Sequence, residues 1–343
     1  MKGIFLLYTL FLLHYVSAQQ SGINPVRDAF LSIATDARAA GQGDIGVATA
    51  TDVFSQLWNP SKYVFSAKKI EVGIIQIFTS SQDFDEFSQL NFNFYNKLND
   101  RSAYALSIRS YANSVGSFVE TGIVNRANEL SIGGSYTMKL SNEFAMAVGG
   151  RYISLNEKAP MLDGFNTNSS LYGIDVSGFY QGNEIAYKAF NGRWRAGFNF
   201  SNLRGKSFED KKHIEIYAPS TLKIGLGFDF IFNQDKRLAV TSEYKTLLDS
   251  YTENEAGEPL EFVLEGSAMG AGLEFTFREK LVLRTGYSIG INRATDTFAT
   301  LGTGFKGRFV DLDVAILLGV SDAENLIRQK LRLSLGLNLD EVF

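Results

Sequence analysis

The sequence predicts an all-β protein, a transmembrane antiparallel β-barrel of about 14 strands that carries an N-terminal plug or hatch segment. Three observations predict it. The chain ends in LRLSLGLNLDEVF, where Leu331, Leu333, Leu335, Leu337 and Leu339 alternate with Arg332, Ser334, Gly336, Asn338 and Asp340. A period of two puts the leucines on one face of a strand and the polar residues on the other, as lipid-facing and lumen-facing residues alternate in outer-membrane barrels. The chain also begins with an export signal, and after it no apolar run approaches the length of a membrane-spanning helix. An exported chain without such a helix reaches a membrane through a closed barrel, because only helices and closed barrels satisfy every backbone polar group in lipid.

Residues 1–18 read as the signal peptide. Lys2 precedes an apolar run from Ile4 to Leu13, and Val16-Ser17-Ala18 forms a small-residue cleavage site, so cleavage is expected after Ala18. Residues 19–68 follow without sustained alternation and are rich in Ala, Gly and Asp, which fits a plug or a periplasmic extension. Residues 69–343 form the barrel. Its strands are expected at 69–80, 88–97, 101–111, 127–139, 143–155, 169–181, 191–203, 219–232, 236–248, 264–277, 280–290, 297–306, 308–319 and 329–341. Each rests on alternation: Leu90, Phe92 and Phe94 against Asn91 and Asn93, for example, or Leu222 to Phe232 against Lys223, Gly225, Gly227 and Asp229. The length of about ten residues suits a tilted membrane strand. Short turns at Leu98-Asn99-Asp100, Ser141-Asn142, Asn233-Gln234-Asp235, Arg278-Glu279 and Lys306-Gly307 belong on the periplasmic side. Longer loops at 112–126, 156–168, 204–218, 249–263 and 320–328 belong outside. The connection 182–190 is the exception, long yet periplasmic. Phe343, in phase with the leucines, is read as the assembly signal.

Composition narrows the chemistry. Gly is 32, Phe 28, Tyr 15 and Cys 0, which suits barrel strands with aromatic girdles and excludes disulfides, thiol catalysis and Cys-ligated metals. A net charge of -4 without a basic block argues against nucleic acid. Gly41-Gln42-Gly43-Asp44-Ile45-Gly46 matches a dinucleotide fingerprint, but no buried strand precedes it; close packing of a plug backbone accounts better for the glycines. Gly286-Tyr287-Ser288-Ile289-Gly290 matches a nucleophile elbow, but it sits in a strand and the mature chain's His213 lies upstream. A lone His213 makes no zinc site. Acidic residues at Asp83, Asp85 and Glu86, and at Glu253, Glu255 and Glu258, offer oxygen ligands for calcium or form solvated loops. Asp36, Arg38 and Asp44 are expected to dock the plug by pairing with lumenal charges such as Arg109 or Arg151. No cofactor and no catalytic residue is expected, so the chain is not read as an enzyme.

The pre-barrel segment carries a resemblance. Ala29 to Ala34, then Asp36-Ala37-Arg38-Ala39-Ala40-Gly41-Gln42-Gly43-Asp44, and then Gln56-Leu57-Trp58-Asn59-Pro60-Ser61-Lys62-Tyr63 resemble the N-terminal region of the PorV (LptO) family of the type IX secretion system of Bacteroidetes, within the FadL-like group of barrels. Asp36, Arg38, Gly41, Gly43, Asp44, Trp58, Asn59 and Pro60 are the positions that match. The resemblance implies binding of the C-terminal signal domain of secreted cargo at the outer membrane. It further implies a translocon barrel of the SprA/Sov kind, attachment-complex components and outer-membrane lipid as partners. A PorQ-like paralogue of the attachment complex and a FadL-like channel for hydrophobic small molecules share the fold. The inward positions (Asn91, Asn93, Ser107, Arg109, Ser131, Thr137, Arg151, Lys223, Asp229, Glu274, Asp311, Asp313) are polar, which suits fatty ligands poorly.

Overall fold

A computed structural model of the chain describes residues 36–80, 86–118, 123–159, 165–203, 206–208, 215–217, 220–248, 251–253, 259–262, 266–291, 297–319 and 331–340. The signal-peptide reading, the residues before 36 and Phe343 lie outside them, as do His213, Asp83, Asp85, Glu255 and Glu258.

The main sheet contains fifteen strands, one of which is the two-residue piece Ile185–Ala186. The other fourteen form the barrel: β1 (Ile70–Ser80), β2 (Glu86–Asn99), β3 (Ser102–Phe118), β4 (Ile123–Lys139), β5 (Phe144–Ala159), β6 (Phe165–Gln181), β7 (Asn191–Leu203), β8 (Thr221–Ile231), β9 (Lys236–Leu247), β10 (Ala268–Phe277), β11 (Leu281–Gly290), β12 (Phe298–Lys306), β13 (Val310–Gly319) and β14 (Leu331–Asn338). Every strand is antiparallel to its sequence neighbours. β14 pairs with β1, Leu335 opposite Ile74 and Gly336 opposite Gly73, and that pairing closes the ring. Closure leaves no exposed sheet edge in lipid.

The period-two reading holds along the wall. On β14, Leu331 and Leu333 face outward while Arg332, Ser334 and Gly336 are buried. On β2, Leu90 and Phe92 are exposed while Asn91 and Asn93 are fully buried in the lumen. Among the described residues no helix is long and apolar enough to cross a membrane; the strands do the crossing.

The strands are not of equal height. β3, β4 and β6 run 17 residues and β5 runs 16, whereas β10, β11 and β13 run 10. At ~3.3 Å per residue and a tilt near 40°, 17 residues rise roughly 43 Å, against an apolar band of about 25 Å. The regions expected as loops at 112–126 and 156–168 are therefore largely strand. Asn113 pairs with Ala127 and Asn156 with Asn168. In these stretches the sequence mixes polar and apolar residues in both phases and leaves no alternation to read.

Both ends of the barrel sequence, Ile70 and Asn338, lie at the end that carries the turns 100–101, 140–143, 232–235, 278–280 and 307–309. Short turns face the periplasm in outer-membrane barrels. The long connection 182–190 falls at this end too, as the sequence indicates.

Candidate functional site: the docked plug

Residues 36–66 lie inside the barrel. They form a short helix α1 (Ala37–Ala40) and two 3-10 turns, Val53–Leu57 and Pro60–Phe65. Each begins on a capping residue the sequence supplies. Asp36 accepts from Ala39 N at 2.8 Å, Asp52 accepts from Phe54 N at 3.0 Å, and Asn59 accepts from Ser61 N at 3.1 Å, with Pro60 at the first helical position. Side-chain oxygens at such positions satisfy orphan backbone donors, and Pro is tolerated there because its missing N–H has no helical partner.

Residues 41–48 cross close against the inner wall, and glycines make room for their main chain and side chains. A Cβ on Gly286 of β11 would lie 2.1 Å from Gln42 C, one on Gly272 of β10 2.4 Å from Gln42 O, one on Gly270 2.3 Å from Ile45 Cγ2, and one on Gly197 of β7 2.3 Å from Val47 O. The strand register lines these notches up. Gly272 stands opposite Gly286, Gly197 opposite Gly225, and Gly225 opposite Glu243, which in turn faces Gly270. In the middle of that row the Glu243 carboxylate accepts from Gly46 N and Val47 N, both at 2.7 Å. Gly43, at φ 81°, donates to Thr300 Oγ1 at 3.0 Å; the left-handed backbone there favours glycine. The glycines of the G-x-G-x-x-G match thus serve close backbone approach, and Gly286 of the G-x-S-x-G match is one wall of the notch. Ser288 is buried in strand β11.

Charge locks the same stretch. Arg38 holds Glu274 of β10 through two bonds of 2.9 Å and also reaches Asp52 at 3.0 Å. Glu274 is shared with Arg284 of β11 at 2.8 Å, and Arg284 continues to Asp313 of β13 at 2.6 Å. The last link passes over β12 where Gly304 has no side chain; a Cβ there would sit 2.1 Å from Asp313 Oδ1. Arg38 is 3% exposed and Glu274 2%, so the centre of this charge chain is closed off from solvent, while Asp52 and Asp313 at its ends are partly exposed. Burial opposes the Arg38 charge, but Glu274 and Asp52 outweigh it and hold its pKa above the ordinary arginine value. Burial likewise opposes the Asp52 charge, and Arg38 and Lys62 draw its pKa below the usual carboxylate value. Asp44 pairs with Lys245 of β9. Arg195 of β7 binds Asp229 at 2.7 Å and donates to Ala48 O at 2.8 Å.

The expected docking partners need correction. Arg38 and Asp44 do use lumenal charges, Glu274 and Lys245 among them. Arg151 binds Asp175 on the neighbouring strand at 2.7 Å instead, and Asp36 turns into the plug to accept from Trp58 Nε1 at 2.7 Å. The reason is position across the ring: residues 36–49 lie against β7–β14, while Arg151 stands on β5. Burial, and then the nearby Asp52, push the Asp36 carboxyl up to about 6, against the hydrogen bonds from Ala39 and Trp58. Glu243 and the aligned glycines were legible only as inward-phase residues; glycine recurring at inward positions of adjacent strands was the available signal.

The remaining motif residues also work inside this joint. A Cβ on Gly41 would lie 3.1 Å from Gly302 Cα of β12, and Gly46 lies flat against the Trp58 ring. Lys223 Nζ sits 4.2 Å over that ring. Asn59 Nδ2 donates to Val47 O at 2.9 Å and to Gly178 O of β6 at 3.0 Å. Pro60 O accepts from Thr137 Oγ1 at 2.9 Å. Lys62 donates to Gly46 O at 2.7 Å, and burial draws its pKa down to about 8. Among the described residues no group of three His, Asp or Glu could hold a metal ion.

A closed fourteen-stranded antiparallel barrel with an N-terminal segment packed in its lumen defines the class, a transmembrane β-barrel. Solved structures with this fold include the Pseudomonas putida toluene transporter TodX, with 14% identity, 87% of this chain and 94% of that one covered and a TM-score of 0.53. The Ralstonia pickettii toluene transporter TbuX gives 13%, 89%, 97% and 0.53. The CymD monoaromatic hydrocarbon channel gives 12%, 90%, 98% and 0.54. At such identities the likeness is one of fold. No curated protein matches the chain in sequence. The family model "Type IX secretion system protein PorV" matches residues 17–253, and the chain belongs to that family. It is accordingly an outer-membrane protein of type IX secretion.

Proposed function

We propose that this protein binds the C-terminal signal domain of type IX cargo at the outer membrane and carries it from the translocon barrel to the attachment complex. The family match carries this reading. The joint supports it from the physical side. The motif residues Asp36, Arg38, Gly41, Gly43, Asp44, Trp58, Asn59 and Pro60 hold the plug in the barrel, which makes the molecule a rigid membrane-embedded platform. The tall outer rim of β3–β6 is then the surface that faces cargo. By family, the same platform meets a SprA/Sov-like translocon and the attachment components. Phe343 is proposed as the assembly signal at the C-terminus.

Pull-down from outer membranes tests the reading. Translocon and cargo should co-purify with the protein, and deletion of its gene should stop surface display of cargo that carries the signal domain. Normal display after deletion overturns the proposal. The alternative, a channel for hydrophobic small molecules, is favoured by the fold shared with hydrocarbon channels. It predicts lost uptake of such molecules with cargo display intact. Replacing Phe343 with Asp should abolish the heat-modifiable band on gels if the tail directs assembly.

A further inference from the structure

The periplasmic turns differ from one side of the ring to the other. On the side of β2–β7, Lys97 pairs with Asp100 at 3.4 Å, Arg193 pairs with Glu184, and Lys139 lies 4.7 Å over the Phe65 ring. On the side of β9–β13, the segments 232–237, 278–280 and 306–309 carry Lys236, Arg237, Arg278, Lys280, Lys306 and Arg308 against Asp235 and Glu279. Among the described residues none of Lys236, Arg237, Arg278, Lys280 and Lys306 forms an ion pair. Arg278 and Glu279 both have left-handed backbone, at φ 52° and 55°, where a two-residue hairpin turn favours Asn or Gly. Arg278 N donates to Asp235 O at 2.6 Å, which ties this turn to the one before it.

The inner face of the mouth on this side has donors without acceptors. Arg237 of β9 stands opposite Thr276 of β10, Thr276 opposite Val282 of β11, and Val282 opposite Gly304 of β12. This row is in the inward phase, and so is Lys306, two residues nearer the turn than Gly304. Thr276 and Arg284 are buried, and Thr276 Oγ1 and Arg284 Nη2 have no hydrogen-bond partner among the described residues. A buried donor left without an acceptor is costly. Arg237 and Lys306 are half-buried, and neither side chain makes a hydrogen bond among the described residues. Lys306 stands in the field of Arg38, Arg237, Arg284 and Glu274, and the Glu274 carboxylate is already shared between Arg38 and Arg284.

We propose that the periplasmic mouth between β9 and β13 binds the carboxylates of an extended acidic segment of a periplasmic protein. This site lies at the end of the barrel opposite the rim that faces cargo. Arg237 takes one carboxylate as a fork, since a guanidinium offers parallel donors. Lys306 takes a second beside Thr276 Oγ1 and Arg284 Nη2, and the exposed Lys236, Arg278, Lys280 and Arg308 receive the rest. Span favours a peptide over a single ion. The three turns spread across four strand spacings, roughly 20 Å, the length of about six extended residues. Phase argues against lipid, because Arg237 and Lys306 stand inside the wall, where headgroups outside the ring do not reach.

The test titrates the full-length protein in detergent with fluorescein-labelled hexaglutamate and reads anisotropy. Hexaglutamate should bind and hexaglutamine should not. Arg237→Gln with Lys306→Gln should weaken binding by about tenfold or more, two charged contacts being lost, while the heat-modifiable band persists. Lys188→Gln, on the far side of the rim, should leave the affinity unchanged. Failure of hexaglutamate to bind, or an unchanged affinity in the double variant, overturns the proposal. So does inorganic phosphate that displaces the peptide at equal charge concentration, which makes this a site for a free anion only. In native outer membranes, a photo-crosslinker in place of Lys280 that captures lipid alone also overturns it. If the double variant fails to assemble, Lys306→Gln alone gives the same readout with a smaller loss.

Discussion

The first half of the plug, residues 36–49, meets β7–β14 through carboxylates, guanidinium groups and close-packed backbone, with Ala37, Ala39 and Ala40 in an apolar cluster that includes Phe298, Ala315 and Leu317. The second half, residues 52–66, meets β1–β6 through rings, methyls and neutral hydrogen bonds, with the exception of Trp58, which reaches Asn199 of β7 and Lys223 of β8. In the second half Val53, Phe54, Tyr63 and Val64 pack on Ile75, Ile77, Tyr95, Ala103, Ala105 and Ala145, and Tyr63 stacks on Tyr95 at 4.4 Å. Its polar links to that wall include Gln56 to Ser135, Pro60 to Thr137, Asn59 to Gly178 and Ser66 to Tyr95. The difference follows from tethering. Residues 66–69 lead straight into β1, so the second half is held beside its wall by the chain and non-directional burial suffices. The first half must find the far wall, and directional contacts fix its register there.

Four experiments sharpen or break that contrast. Glu274→Gln should have the largest effect, because it leaves Arg38 and Arg284 facing each other without their shared carboxylate. Removing one partner of a buried ionic group costs about 3–5 kcal/mol, read as the urea midpoint in detergent. A midpoint unchanged by this variant would mean that the charge chain is not what holds the far half. Gly286→Val comes next, at about 1–3 kcal/mol for an overpacked contact. The added side chain meets Gln42 main chain, so residues 36–49 should become open to proteolysis near Arg38 while the barrel band on gels stays heat-modifiable. Tyr63→Phe tests the neutral half. Its hydroxyl donates to Val53 O at 3.0 Å and accepts from Gln56 N at 2.6 Å, so the loss should be about 1–2 kcal/mol. A larger loss than that of Glu274→Gln would reverse the contrast.

The fourth experiment concerns pH. Asp36 has a folded pKa of about 6, above the ordinary 3.8. The folded state therefore holds its proton more tightly than the unfolded one. Its contribution to stability is complete below about 3.8 and declines as pH rises through about 6. Asp36→Asn should flatten that segment of the stability–pH curve, and an unchanged slope would show that Asp36 is not the titrating group.

Fold and site were legible to different degrees. Alternation located all fourteen strands because the lipid outside and the polar lumen inside impose opposite demands on successive residues. It failed at the upper ends of β3–β6, where polar and apolar residues mix in both phases of the sequence. It identified Glu274 and Lys223 as inward-facing but assigned them no partner. The expected pairing with Arg151 failed because a strand pattern gives the phase of a residue and not its place around the ring.

By itself the sequence determined the barrel and the family, since each rests on local order: the period-two wall, and the run from Asp36 to Pro60. The tertiary structure alone decided what those residues do to one another. Gly197, Gly225, Gly270, Gly272 and Gly286 become one groove only when the ring closes and register sets them side by side. Arg38 finds Glu274 because the plug crosses to β10. Such contacts join residues more than two hundred positions apart, and no local pattern encodes a partner at that separation.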